Sequence, residues 1–219
     1  MSKKNKGHFL YRTTIALFRF FFKLCYRLKI YGLEHHFTGG ALIASNHASF
    51  FDPPLLAVAW PEEVYFLARE TLFNIPLFGR FIYALNARPV RGTAKDIAVF
   101  KLLCSLLEEE KKIILFPEGS RALNNRLGPL KQGASFLILR THKAIIPAYI
   151  HGTYDVWSRK RKFPKLFGKI SCIFGSPLRY QEFASLEKKA AEAALTQRLK
   201  ERILALKEWF EAGAQGSPP

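Results

Sequence analysis

Cysteines, acidic residues and long uncharged apolar stretches are all scarce in this sequence. Its three cysteines are far apart and lack metal-ligand spacing, so we expect a reducing compartment and no disulfide framework. In the N-terminal region, charges interrupt every stretch near the roughly 20 apolar residues that cross a bilayer, and no signal-peptide cleavage site follows. With 219 residues and 49% hydrophobic content, the chain suits one α/β domain with a sizeable core.

The shortage of acidic residues leaves a large positive charge, and two segments carry most of it. Lys and Arg number 34 against 17 Asp and Glu, a net charge of +17. Residues 1–30 contain eight basic residues and residues 157–169 contain six, with no acid in either segment. Such patches attract nucleic acids or anionic membranes.

The first basic segment has the periodicity of an amphipathic helix over residues 8–29. Four basic side chains, Arg12, Arg19, Lys23 and Arg27, fall within an arc of about 80°, and bulky apolar side chains lie on the opposite face. This pattern predicts a helix lying in a membrane interface; the alternative is a helix packed on its own domain with solvated charges. The side chains expected at the membrane are Arg12, Leu17, Arg19, Phe21, Lys23 and Leu24.

The second basic segment interleaves Trp157, Phe163 and Phe167 with its cations. Aromatic residues beside lysines fit a membrane interface, and a solvated loop is the alternative. A nucleic-acid partner is not expected, because the apolar face of helix 8–29 is poorly placed to stack bases along its phosphate contacts.

Short apolar runs alternate with longer helical patterns along the chain, which predicts an α/β fold with a largely parallel sheet covered by helices. The predicted strands are 41–45, 64–68, 82–87, 112–116, 144–150 and 169–174. The predicted helices are 8–29, 53–60, 71–80, 94–110, 131–141 and 183–211.

Two short motifs follow predicted buried strands. His47 and Asp52 come after strand 41–45, at a strand-to-helix turn where a carboxylate could orient an imidazole base. No serine or cysteine nucleophile motif accompanies them, so the proton removed should belong to a substrate. Glu118, Gly119 and Arg121 follow strand 112–116, and an arginine there can hold a phosphate. The carboxyl ends of parallel strands share one edge, so the two motifs should form one cleft.

The chain resembles the glycerolipid acyltransferase family, specifically bacterial 1-acyl-glycerol-3-phosphate acyltransferases, from about Gly40 to Gly152. Ser120 stands where threonine is commoner, and the second block is compressed by a residue, so either Arg88 or Arg91 could match the family's basic position. The four ordered blocks are Asn46-His47-x-x-x-x-Asp52, Ala68-Arg69-Glu70 through Arg91-Gly92, Phe116-Pro117-Glu118-Gly119-Ser120-Arg121 with Lys131-Gln132-Gly133, and Ile145-Ile146-Pro147-Ala148 closing at Gly152.

The resemblance implies an α/β fold whose sheet is mixed and largely parallel, with a membrane-interface helix over residues 1–30 and an acyltransferase domain over 31–219. His47, oriented by Asp52, would deprotonate the sn-2 hydroxyl of lysophosphatidic acid, which attacks an acyl thioester to give phosphatidic acid. Backbone amides near His47 or at the helix after Asp52 could supply the oxyanion site, and the sequence does not distinguish between them. At the phosphate site, the resemblance implies that Arg121, with Arg91 or Arg88, holds the phosphate and that Glu118 and Gly119 shape the loop around it. Lys131 is a further phosphate candidate.

The expected partners are lysophosphatidic acid, acyl-CoA or acyl carrier protein as acyl donor, and an anionic membrane surface. No metal or cofactor is expected. The same resemblance implies that the protein lies on the cytoplasmic face of the membrane, as a peripheral or monotopic protein. Glycerol 3-phosphate or another lysophospholipid is the alternative acceptor.

Overall fold

A computed structural model describes residues 3–91 and 97–219, with side chains from residue 7 onward. The start of the predicted helix 94–110 therefore lies outside the described residues. The helices are α1 (Lys3–Tyr26), α2 (Asp52–Ala59), α3 (Glu70–Phe73), α4 (Phe78–Ala84), α5 (Ile97–Glu108), α6 (Gly133–Thr141), α7 (Thr153–Trp157) and α8 (Lys188–Glu211). The strands are β1 (Lys29–Tyr31), β2 (Ala41–Ser45), β3 (Val64–Arg69), β4 (Ala87–Val90), β5 (Lys112–Leu115), β6 (Ala144–His151), β7 (Ser171–Phe174) and β8 (Leu178–Arg179).

The strands form one mixed, largely parallel sheet, as predicted. Its order is β1-β7-β6-β2-β5-β3-β4, and β8 pairs with β6. The five strands from β6 to β4 run parallel to one another, whereas β7 and β8 are antiparallel to β6. All five residues of β2 are buried, because helices cover both faces of the sheet.

Two apolar cores lie on the two faces of the sheet. Ile43 of β2 packs into the core that α1 and α2 cover, and Leu42 packs into the core under α5, α6 and α8, as the two-residue repeat of a strand requires. Helix α1 contributes Phe22 and Tyr26 to the first core. The N-terminal helix predicted over residues 1–30 therefore shares its core with the rest of the chain.

Two element predictions were wrong around residue 80. The predicted strand 82–87 falls largely in α4, and the strand is instead β4, beginning at Ala87; Asn86 has a φ of 67° between them. The predicted helix 71–80 is divided into α3 and α4 by Pro76 and by Leu77, whose φ is 64°. Pro89 is tolerated in β4, because this strand lies at the edge of the sheet and pairs with β3.

Candidate active site

The two predicted motifs meet at the carboxyl ends of neighbouring parallel strands. The turn between β2 and α2 carries His47, and the loop after β5 carries residues 116–121. The amide of Ala122 donates a 2.7 Å hydrogen bond to the carbonyl of His47, which joins the turn to the loop. Strands β3 and β6 lie on either side of this pair and end at the same edge, so four strand ends surround the cleft.

His47 and Asp52 form a hydrogen-bonded pair. Nδ1 of His47 lies 2.8 Å from Oδ2 of Asp52, so Nε2 is the ring nitrogen available to a substrate. The Asp52 side chain is fully buried, and the His47 side chain is 17% exposed. The imidazole also stacks on the Phe116 ring, with centroids 4.0 Å apart and planes inclined by 17°. The carboxylate and Phe116 together fix the plane of a general base.

Every oxygen of the Asp52 carboxylate is satisfied, as a buried charge requires. Oδ2 also accepts hydrogen bonds from the amides of Ala48 at 2.6 Å and Ser49 at 2.7 Å. Oδ1 accepts one from the hydroxyl of Thr153, at 2.7 Å. Thr153 was not a predicted site residue. The one sequence feature that could have pointed to Thr153 is its place directly after Gly152, the glycine that closes the fourth block. In the structure Gly152 has a φ of 82°.

Glu118 holds the turn that carries His47 in place. Its Oε1 accepts a 2.8 Å hydrogen bond from the amide of His47, and its Oε2 accepts one of 2.8 Å from the amide of Gly128. Burial raises the pKa of Glu118, and these two hydrogen bonds oppose the rise. Because both oxygens accept backbone hydrogen bonds, Glu118 joins the turn of His47 to the loop that contains Gly128.

The amides expected to stabilise an oxyanion are engaged elsewhere. The N–H of His47 bonds to Glu118, and the next two N–H groups bond to Asp52. The amide of Phe51 donates to the hydroxyl of Ser49, at 3.1 Å. These four amides therefore build the turn itself.

Arg121 lies at the cleft with its guanidinium carbon 3.5 Å from the centroid of the Phe50 ring. Its Nη1 is buried and has no hydrogen-bond partner among the described residues, and the same holds for Nε1 of Trp157, whose ring also packs on Phe50. Burial first, and then the charges of Arg159 and Arg69, lower the pKa of Arg121. Cationic and unsatisfied N–H groups of this kind suit an anionic ligand.

The structure separates the two arginines that the sequence left as alternatives. The Arg88 guanidinium lies over the rings of Tyr65 and Tyr83 and bonds to the carbonyl of Ala87 at 3.0 Å. Arg91 follows the carboxyl end of β4, and its Nε lies 3.1 Å from a carboxylate oxygen of Glu70. Arg91 thus lies beyond the carboxyl end of β4, at the same end of the sheet as the cleft, and pairs with Glu70, whereas Arg88 is held by Tyr65 and Tyr83.

Lys131 lies directly against Gly119. Gly119 has a φ of 74°, and a Cβ on it would lie 2.7 Å from Nζ of Lys131. The amide of Lys131 donates to the carbonyl of Pro117 at 2.9 Å. A side chain at Gly119 would therefore displace the ammonium group from this loop.

The membrane-contact residues predicted on α1 do not all point the same way. Leu17, Phe21 and Leu24 are exposed, as are Arg12 and Lys23. Arg19 instead turns inward and donates to the carbonyl of Val58, at 2.8 Å from Nε. Within residues 3–91 and 97–219, no helix is both long and apolar enough to span a bilayer.

Comparison with known proteins places these features in one family. The family model described as Acyltransferase matches residues 27–151, more than half of the chain. The chain belongs to the acyltransferase family. A 1-acyl-sn-glycerol-3-phosphate acyltransferase of Bacillus subtilis is 31% identical over 178 residues, which are 80% of this chain and 86% of that protein.

Other acyltransferases are similar over part of their length or in fold. The 1-acyl-sn-glycerol-3-phosphate acyltransferase of Cocos nucifera is 26% identical over 65% of this chain, which matches 47% of the plant protein. The crystal structure of the 1-acyl-sn-glycerophosphate (LPA) acyltransferase PlsC from Thermotoga maritima superposes with a TM-score of 0.69 at 22% identity. The superposition covers 92% of this chain and 83% of the Thermotoga one. This acyltransferase thus shares the PlsC fold.

Proposed function

We propose that this acyltransferase is a 1-acylglycerol-3-phosphate O-acyltransferase. It transfers a fatty acyl group from an acyl thioester to the sn-2 hydroxyl of lysophosphatidic acid and so makes phosphatidic acid. The observation that carries the proposal is the His47–Asp52 pair, 2.8 Å apart, beside an arginine whose buried Nη1 has no partner among the described residues. The names of the relatives given above agree with this acceptor.

His47 acts as the general base of this reaction. Its Nε2 accepts the proton of the acceptor hydroxyl while the hydroxyl oxygen attacks the thioester carbonyl carbon. When the tetrahedral intermediate collapses, the carbon–sulfur bond breaks and the imidazolium returns its proton to the departing thiolate. The enzyme forms no covalent intermediate. General-base catalysis of this kind contributes a rate factor of roughly 10²–10⁴, and Asp52 orients the ring and stabilises the imidazolium.

Arg121 holds the phosphate of the acceptor. Its planar guanidinium can donate two hydrogen bonds to one phosphate, and the ring of Phe50 below it leaves the N–H groups at the edge of the plane free to point outward. Arg69, Arg91 and Lys131 add positive charge at the same strand edge, where β3, β4 and β5 end. A phosphomonoester is the group that this set of cations attracts.

The protein is proposed to work at the cytoplasmic face of a membrane, as a peripheral or monotopic enzyme. Helix α1 exposes apolar side chains to solvent, with Leu17 65% and Leu24 66% exposed, and its basic side chains Arg12 and Lys23 are exposed as well. Each basic residue near an anionic surface contributes about 1 kcal/mol to binding. A surface enzyme suits a substrate and a product that both reside in lipid.

A side-by-side transfer assay tests this function. Lysophosphatidic acid, glycerol 3-phosphate and a lysophospholipid with a larger headgroup are each offered with acyl-CoA and with acyl carrier protein as donor. We expect transfer to lysophosphatidic acid to exceed transfer to both other acceptors. The His47→Ala variant is the control for background transfer. A clear preference for glycerol 3-phosphate would overturn the assignment of the acceptor, and no transfer to any of the three would overturn the function.

A further inference from the structure

A basic loop follows α7 and carries an unusual exposed surface. This loop, residues 159–169, contains six Lys and Arg residues and no acid. Three bulky apolar side chains on it are among the most exposed of the molecule: Phe163 at 72%, Leu166 at 74% and Phe167 at 67%. A cluster of apolar side chains in contact with water marks an interaction surface, and the cations around them indicate that the partner is anionic.

The basic loop is attached to the end of α1. The hydroxyl of Tyr26 donates to the carbonyl of Lys165 at 2.8 Å, and the amide of Gly168 donates to the carbonyl of Cys25 at 3.2 Å. Leu24, one residue before Cys25, is exposed on the solvent-facing side of the helix. The loop is therefore fixed against the C-terminal end of α1, close in sequence to the exposed Leu24.

The same loop is joined to the catalytic turn at its other end. Ser158, just before the loop, forms an antiparallel bridge with Ser49, and the Ser49 hydroxyl donates to the carbonyl of Trp157 at 2.8 Å. The Trp157 ring packs on Phe50 and Phe51, with both centroid distances 4.9 Å. The basic loop thus lies between the surface of α1 and the turn that carries His47.

We propose that the basic loop is a second contact with an anionic lipid surface and that it sets the orientation of the cleft toward the bilayer. The inference rests on the membrane association proposed above. A single helix lying in an interface can roll about its own axis, whereas a second contact away from that axis removes this freedom. The hydrogen bond from Ser49 and the packing of Trp157 on Phe50 then hold the entrance of the cleft against the lipid.

A lipid surface fits this loop better than an acidic protein or a nucleic acid. Its three exposed apolar side chains need an apolar phase to enter, and the interfacial region of a bilayer offers one beneath its anionic headgroups. Each Lys or Arg near such a surface raises binding roughly fivefold. The Lys162 ammonium lies 5.6 Å from the centroid of the Phe163 ring, so cation and aromatic ring can enter the headgroup region together.

The test compares two physical forms of the same acceptor. The enzyme is assayed on long-chain lysophosphatidic acid in vesicles of phosphatidylglycerol and phosphatidylcholine, and on monomeric short-chain lysophosphatidic acid in solution. Each acceptor is assayed once with acyl-CoA and once with acyl-acyl carrier protein as donor. A control variant changes an exposed leucine just before α8 and an exposed lysine in the first turn of α8. The loop variants are F163S/L166S/F167S and K160Q/R161Q/K162Q, and the control is L186S/K189Q.

We expect each loop variant to lose roughly tenfold or more of its turnover on vesicles. For K160Q/R161Q/K162Q the reason is that each lost cation alone weakens binding about fivefold. Its turnover on the soluble acceptor and that of the control variant on both acceptors should stay at the wild-type level. If the loop variants turn over the vesicle acceptor as fast as the wild type does, the inference is overturned. It is also overturned if they lose turnover equally on the vesicle and the soluble acceptor, which would mean that the loop has a structural role. A loss confined to assays with acyl carrier protein would make the loop a protein-docking site instead. The proposed function fails separately, if the wild type transfers nothing to either acceptor.

Discussion

The hydroxyl of Thr153 donates a 2.7 Å hydrogen bond to Oδ1 of Asp52, across 101 residues of sequence. The other oxygen of that carboxylate accepts the ring N–H of His47 and two backbone amides. The catalytic pair is thus extended by a third side chain, which arrives from the end of β6 at the first residue of α7. This geometry makes Thr153 a positioning residue for the Asp52 carboxylate.

Replacing Thr153 by valine should lower kcat roughly tenfold and leave the KM of both substrates unchanged, because a lost hydrogen bond at a buried carboxylate costs about 1–3 kcal/mol. Thr153→Ser should restore kcat, since serine supplies the same hydroxyl. Steady-state kinetics of the three proteins, with melting temperatures as a check on folding, measure this. Equal loss in the serine and valine variants would show that packing of the methyl group, and not the hydroxyl, matters.

Removal of the base should abolish transfer. His47→Ala deletes the proton acceptor and little packing, so the melting temperature and vesicle binding should be retained. Asp52→Asn should reduce kcat less than His47→Ala, but still by a factor on the order of 10²–10⁴, because the imidazole loses the charge that orients and stabilises it. Near wild-type turnover in His47→Ala would exclude the proposed mechanism.

Arg121→Ala should raise the KM for lysophosphatidic acid about tenfold to a hundredfold, because hydrogen bonds to a charged group contribute about 1.5–3 kcal/mol. The KM for the acyl donor should change little. Arg88→Ala is the matched control, since its guanidinium is held by Tyr65 and Tyr83, and it should leave both KM values near those of the wild type. A parallel rise in both KM values for Arg121→Ala would mean that Arg121 supports the fold instead of the phosphate.

Glu118 should make stability depend on pH. Burial raises its pKa in the folded state above the usual value of 4.5, so folding binds protons, and the contribution of Glu118 to the free energy of unfolding falls as pH rises from the ordinary value through the raised one. Glu118→Gln removes this titration. The melting temperature of Glu118→Gln minus that of the wild type should therefore increase as the pH is raised from about 4 to about 7. A constant difference across this range would contradict the effect of burial.

The solvent-facing side chains of α1 should bind vesicles through two separable contributions, one apolar and one electrostatic. Leu17→Ser with Leu24→Ser should weaken binding at every salt concentration, because apolar burial is lost. Charge reversal at Arg12 and Lys23 should weaken it mainly at low salt, since exposed charges are screened within about 10 Å at 0.1 M.

Arg19→Ala is the matched control on the same helix. Its guanidinium bonds to the Val58 carbonyl, so this variant should lose about 1–2 kcal/mol of folding stability and keep its vesicle affinity. Vesicle affinity that falls as far in Arg19→Ala as in the Leu17 and Leu24 variant would argue against the orientation of α1 described above.

The sequence by itself determined the fold class, the two loops of the cleft and the amphipathic character of α1. Apolar runs alternating with helical periodicity specify buried parallel strands, and parallel strands bring their carboxyl ends to one edge. His47 and Glu118 were therefore expected at the same edge once β2 and β5 were recognised as strands, and the pairing of β2 with β5 in the tertiary structure brought them together. The helical repeat of α1 likewise placed Leu17 and Leu24 on one face without any knowledge of its neighbours.

Only the tertiary structure decided which atoms meet within that frame. The bond from Thr153 to Asp52, the backbone bonds of Glu118 and the inward turn of Arg19 join residues far apart in the chain. A local pattern specifies the face on which a side chain lies, whereas its partner depends on how distant strands and helices register against one another. The same reason separates Arg88 from Arg91: three positions apart in sequence, they have different partners because one lies within the edge strand β4 and the other follows its end.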